Sequence, residues 1–167
     1  PDPYWEEALR RDPCDVRVNT ALGILCIKKA RFGDAERLLR KALERLTDRY
    51  TTPKDMEPLY YLGLALKAQG RLGEAYDTLY KATWAMAWRG PAYDTLAEIA
   101  CRRGDWRAAL EHVDRSLEAC GLNIRAVNLK AAILRHTGRP REAIALLDTA
   151  AHKADPLDVR SMTERWL

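Results

Sequence analysis

The feature that most constrains this chain is a motif that returns at a fixed interval. Gly70-Arg71-Leu72-Gly73-Glu74-Ala75-Tyr76 aligns with Ala30-Arg31-Phe32-Gly33-Asp34-Ala35-Glu36 before it. It aligns again with Gly104-Asp105-Trp106-Arg107-Ala108-Ala109-Leu110 and with Gly138-Arg139-Pro140-Arg141-Glu142-Ala143-Ile144. The successive offsets are 40, 34 and 34 residues. Each copy breaks the chain at a small residue, places a bulky residue two later in three of the four copies, and an alanine three after that. A period near 34 with this pattern predicts stacked helical hairpins. A single hairpin cannot bury its apolar stripe, so the neighbour must cover it.

The flanking segments carry helical periodicity. Residues 16–47 form the first complete unit, with Leu22, Gly23, Leu25 and Cys26 on its first helix. Ala35, Leu38, Leu39, Ala42, Leu43 and Leu46 stripe the second. Residues 1–12 match the second helix of a unit whose first helix is missing, because Trp5, Ala8 and Leu9 lie 34 before Leu39, Ala42 and Leu43. A loop over 48–56, holding Thr51-Thr52-Pro53-Lys54-Asp55, absorbs the six extra residues of the first offset. Further units span 57–88, 91–119 and 124–153, and a terminal helix covers 156–167. Pro91 and Pro140 are expected in first helical turns, where a missing N–H costs nothing. Asp105 is expected to cap the helix that follows it. The small residues Gly23, Gly63, Ala97 and Ala131 are expected where helices cross closely.

Composition narrows the function classes. The chain is 47% apolar and 31% charged, which predicts an ordered, soluble domain. No run of about 18 apolar residues exists, so no membrane span is expected. The chain starts at Pro1, and we expect it to be a piece of a longer protein. Its net charge of +4 is modest, and acids are interleaved with bases, which disfavours nucleic acid as the partner. Cys14, Cys26, Cys101 and Cys120 form no CxxC pair, so reduced thiols in a cytoplasmic protein are expected. His112, His136 and His152 lack metal-ligand spacing, so no metal or other cofactor is expected. Asp94 and Glu98 share one helix face, but Glu98 and Arg102 are also four apart, and a solvated charge ladder is the expectation. Trp84, Trp88, Trp106, Tyr80 and Tyr93 are read as packing between units rather than as a stacking platform.

Leu22-Gly23, Leu62-Gly63 and Leu96-Ala97, with the glycines at 70, 104 and 138 and the alanines at 35, 75, 109 and 143, resemble the tetratricopeptide repeat family. The resemblance covers nearly the whole chain. It implies an all-α, right-handed α-α superhelix of antiparallel helix pairs. The segments 4–13 and 74–84 also look like repeat arrays of large uncharacterised bacterial proteins, a likeness that carries no activity. In the family the first helices line a concave groove. The resemblance implies Arg17, Ile24, Tyr60, Leu64, Asp94, Glu98, Arg102, Arg125, Asn128 and Arg135 as groove and partner-binding candidates. The lysine–asparagine set that some members use to grip a carboxylate is absent, since Thr20 and Ile24 stand there. The expected function is a non-catalytic scaffold that takes a peptide or partner helix. The alternative is an accessory or oligomerisation module of a larger bacterial enzyme acting on carbohydrate. Self-association through uncapped ends is a further expectation.

Overall fold

A computed structural model of the chain describes residues 3–48, 55–151 and 158–166. The chain divides into two compact units, Pro1–Trp88 and Arg89–Leu167.

The first unit holds α1 (Pro3–Arg11), α2 (Val16–Lys28), α3 (Phe32–Thr47), α4 (Glu57–Ala68) and α5 (Leu72–Ala82). Asp15 starts α2 by accepting the Val18 N–H at 2.8 Å, so one of the donors orphaned at a helix start is satisfied. The helices pair as hairpins through one repeated contact. A Cβ placed on Gly23 would lie 2.7 Å from Cγ of Leu39, and one on Gly63 would come closer still to Cγ of Leu79. Leu39 and Leu79 are wholly buried. The glycines therefore serve close approach, and the leucines fill the space they leave. Ala35, Ala42, Ala75 and Ala82 are wholly buried along the same seams. Residues 49–54 of the expected loop over 48–56 lie outside the described residues, while Met56 at its end is buried.

The second unit holds most of α6 (Met86–Arg103), then α7 (Trp106–Ala119), α8 (Ile124–His136), α9 (Pro140–Leu146) and α10 (Val159–Trp166). Asp105 caps α7 by accepting the Ala108 N–H at 3.0 Å, and Asn123 does the same for Ala126 at the start of α8. One core cluster joins Ala97, Ala100, Ala109, Val113, Ala126 and Ile133. Another joins Val127, Ala131, Leu134, Ala143 and Leu147.

Three elements differ from the sequence expectation. Helix α6 begins at Met86, so Pro91 lies inside it rather than in its first turn. The ring leaves one backbone acceptor without its usual donor. Nearby carbonyls find other donors: Ser116 Oγ donates to Gly90 O at 3.0 Å, and Thr95 Oγ1 to Pro91 O at 3.0 Å. Helix α9 keeps Pro140 at its start but gives way after Leu146 to a π-helical turn, Leu147–Ala151. The last helix starts at Val159, because Asp158 accepts the Ser161 N–H at 2.7 Å and fixes the first turn there.

Three of the four motif turns hold a glycine at positive φ: Gly70, Gly104 and Gly138. The first turn asks the same of Ala30, whose φ is 56°. A β-carbon is strained in that region.

Candidate functional site: the first-helix faces of each unit

In the first unit the candidate positions other than Arg17 are apolar or aromatic. Ile24, Tyr60 and Leu64 are half-buried, and Arg17 is exposed. Tyr60 stacks on Trp88 with ring centroids 4.9 Å apart and planes 26° apart. Tyr61 sets its edge against both rings. Such pairs add about 0.5–1.5 kcal/mol beyond the area they bury. Burial and the nearby Glu57 carboxylate raise the Tyr61 phenol above its ordinary value. Trp88 was legible in the sequence only as one member of an aromatic concentration.

In the second unit the candidate positions are polar, and Arg125 binds two of the others. Arg125, near the start of α8, reaches back to α6. Its Nε lies 3.4 Å from Oδ2 of the buried Asp94, and its Nη2 donates to Oε1 of Glu98. Glu98 therefore binds Arg125, 27 residues away, rather than Arg102 on the same helix.

Asn128 is the counterpart of Asp94 one repeat later, and it too reaches forward. Its Nδ2 donates to Asp158 Oδ2 at 2.9 Å, and its Oδ1 accepts from Ser161 Oγ at 2.8 Å. Hydrogen bonds from the Ser161 side chain and backbone, then from Asn128, hold the Asp158 carboxyl below the usual carboxylate range. Each carboxylate or amide at this register thus ties its helix to the next.

These ties frame a cavity of about 400 Å³. Leu129, Ala132 and Val159 give it apolar walls. Glu98, Arg125, Asn128, Arg160 and Thr163 give it a polar border. Among the sequence candidates it brings together Glu98, Arg125 and Asn128. Asp94 lies behind Arg125, and Arg102 and Arg135 lie outside the lining. The contributions of α10 were missed. The available signal was the period itself, since Val159 falls 34 residues after Arg125.

Among the described residues no group of three or more His, Cys, Asp or Glu side chains could hold a metal ion. Burial pushes the Cys101 thiol up, and Glu98 adds to the shift, so its thiolate is scarce at neutral pH. His112 is buried, stacks on Tyr93 at 5.8 Å, and is held below its ordinary value mainly by burial. His152 lies outside the described residues. No described helix is long and apolar enough to cross a membrane.

Solved structures of similar fold are tetratricopeptide proteins in several cases. MamA superposes with a TM-score of 0.77 at 23% identity, over 91% of this chain and 85% of its own. TTC0263, a thermophilic TPR protein of Thermus thermophilus, gives 0.75 at 20% identity, over 98% and 88%. YrrB, described as a TPR protein with an unusual peptide-binding site, gives 0.71 at 18% identity, over 96% and 79%. The tetratricopeptide repeat family model matches residues 20–91 and 95–159, most of the sequence. With the hairpins, the buried alanine rows and the turn glycines in place, the chain belongs to the tetratricopeptide repeat family.

Proposed function

We propose that the chain is a non-catalytic protein-interaction scaffold, and that the cavity between α8 and α10 seats a segment of its partner. One observation carries this reading. The cavity keeps Leu129, Ala132 and Val159 open at its wall, while Arg125 is already held by Asp94 and Glu98, and Asn128 by Asp158 and Ser161. A partner side chain can therefore exchange water for apolar contact without first ordering the border. Arg125 and Arg160 then offer donors to backbone or carboxylate groups of the incoming segment. In the first unit, Ile24, Tyr60 and Leu64 form a second, wholly different contact face for an apolar side chain. Arg17, Arg102 and Arg135 are peripheral contacts in this reading. That YrrB is described as binding peptide is in keeping with it.

The test is selection of a displayed random-peptide library on the immobilised chain. Ala132→Trp fills the cavity, whereas Ala145→Trp places the same ring on the exposed side of α9. Enriched peptides should lose binding to the first variant and keep it with the second. Failure to enrich any peptide, or peptides indifferent to Ala132→Trp, would sink the reading.

A further inference from the structure

Away from the cavity, the two motif turns of the second unit form an electropositive edge. Arg102, Arg103 and Arg107 surround the turn at Gly104, and Arg139 and Arg141 surround the turn at Gly138. All five side chains belong to exposed residues. The only acids within these turns, Asp105 and Glu142, are already occupied. Asp105 caps α7, and Glu142 accepts from Arg139 at 2.6–2.7 Å. Arg102, Arg107 and Arg141 have no ion pair among the described residues. The two turns are neighbours, because the Trp106 and His136 rings meet at 4.1 Å between centroids. Arg107 and Arg141 are 34 apart, so they hold the same place in successive repeats.

We propose that this edge docks an acidic, extended segment of a protein partner, with Arg107 and Arg141 each taking one of its carboxylates. Charge complementarity selects the sign: beside the Arg139–Glu142 pair stand Arg102, Arg107 and Arg141, while Asp105 is spent as the cap of α7. The arrangement also selects the class. A nucleic-acid strand needs a free aromatic face and a continuous basic track. Here the His136 ring packs against the half-buried Trp106 at a tilt of 42°, and Glu111 and Asp114 continue along α7 behind the arginines. A membrane surface needs a set of apolar anchors beside the cations; Trp106, the aromatic residue between the two turns, is turned toward the protein core, and Ile144, 42% exposed on α9, is a single aliphatic side chain. A polypeptide with spaced carboxylates meets neither obstacle. The guanidinium fork grips a carboxylate through two parallel hydrogen bonds, which a lysine cannot reproduce.

The probe is a fluorescein-labelled peptide of alternating Glu and Ser, about twelve residues long, titrated with the whole chain by fluorescence anisotropy. We expect binding that weakens with salt. R107E/R141E should lower affinity about tenfold or more, and R107K/R141K about threefold. K29E/R45E makes the same charge change in the first unit and should leave affinity within about twofold. The proposal is overturned if R107E/R141E binds like the parent, or if K29E/R45E loses as much. It is equally overturned if an oligothymidine of similar length, or vesicles containing phosphatidylserine, bind more tightly than the peptide. Circular dichroism on each variant ensures that a lost affinity is not a lost fold.

Discussion

The two units solve one packing problem with the same carbon placed on different helices. In the first unit, Gly63 faces Leu79. One repeat later, Ala97 faces Val113 within one buried cluster. The β-carbon missing from Gly63 is present in Ala97, and the carbon that Leu79 has beyond a valine is missing from Val113. The next repeat pairs Ala131 with Leu147, both buried. What the first two seams share is volume across the pair, not residue type at either position.

Gly63→Ala breaks that balance most directly. The new Cβ meets Leu79 Cγ well inside contact distance, and the wholly buried leucine has no open space to move into. We expect a loss of about 1–3 kcal/mol in urea unfolding. Adding Leu79→Val should recover most of it by recreating the Ala97–Val113 pair. A double variant no more stable than Gly63→Ala would show that the two seams are not equivalent.

A smaller effect separates the units by pH. All three histidines of the chain lie after residue 88. Burial holds His112 below its ordinary value near 6.5, so the unfolded chain binds a proton there more readily than the folded one. The stability this gives is complete above about pH 6.5 and is lost as pH falls from there toward the folded value. Urea unfolding followed at about pH 7.5 and about pH 5.5 should show the decline, and His112→Phe should flatten it. A decline that survives the substitution would assign it to another group.

The smallest effect tests the turns. Ala30→Gly removes the strain of a β-carbon at φ 56° and should stabilise the first unit by about 0.5–1 kcal/mol, despite the extra freedom glycine has when unfolded. A thermal midpoint that falls instead would mean that the Ala30 methyl packs usefully.

The hairpins were legible because their register is written in local chemistry: a turn residue, then an alanine at helical spacing. Pairing across repeats was less so. The sequence showed Glu98 and Arg102 four apart, and that proximity is real, yet Arg125 approaches from the next hairpin at a distance that no local rule measures. The start of α6 was hidden for a related reason. Pro91 carries the mark of a first turn, but Ser116, on the facing helix, supplies a donor to the adjacent carbonyl and the helix runs through. The cavity could not be read at all until α10 was placed, since Val159, Arg160 and Thr163 come from a segment whose apolar pattern departs from that of the other repeats.

The bonds around Asp158 have a mechanical consequence. A pull on the chain beyond Ser161 arrives at Asp158 and Ser161, and both are fastened to Asn128 in the middle of α8. Tension would therefore shear a short set of polar bonds before it peeled the apolar wall from Leu129. The last helix should release abruptly, at one extension, instead of unzipping turn by turn.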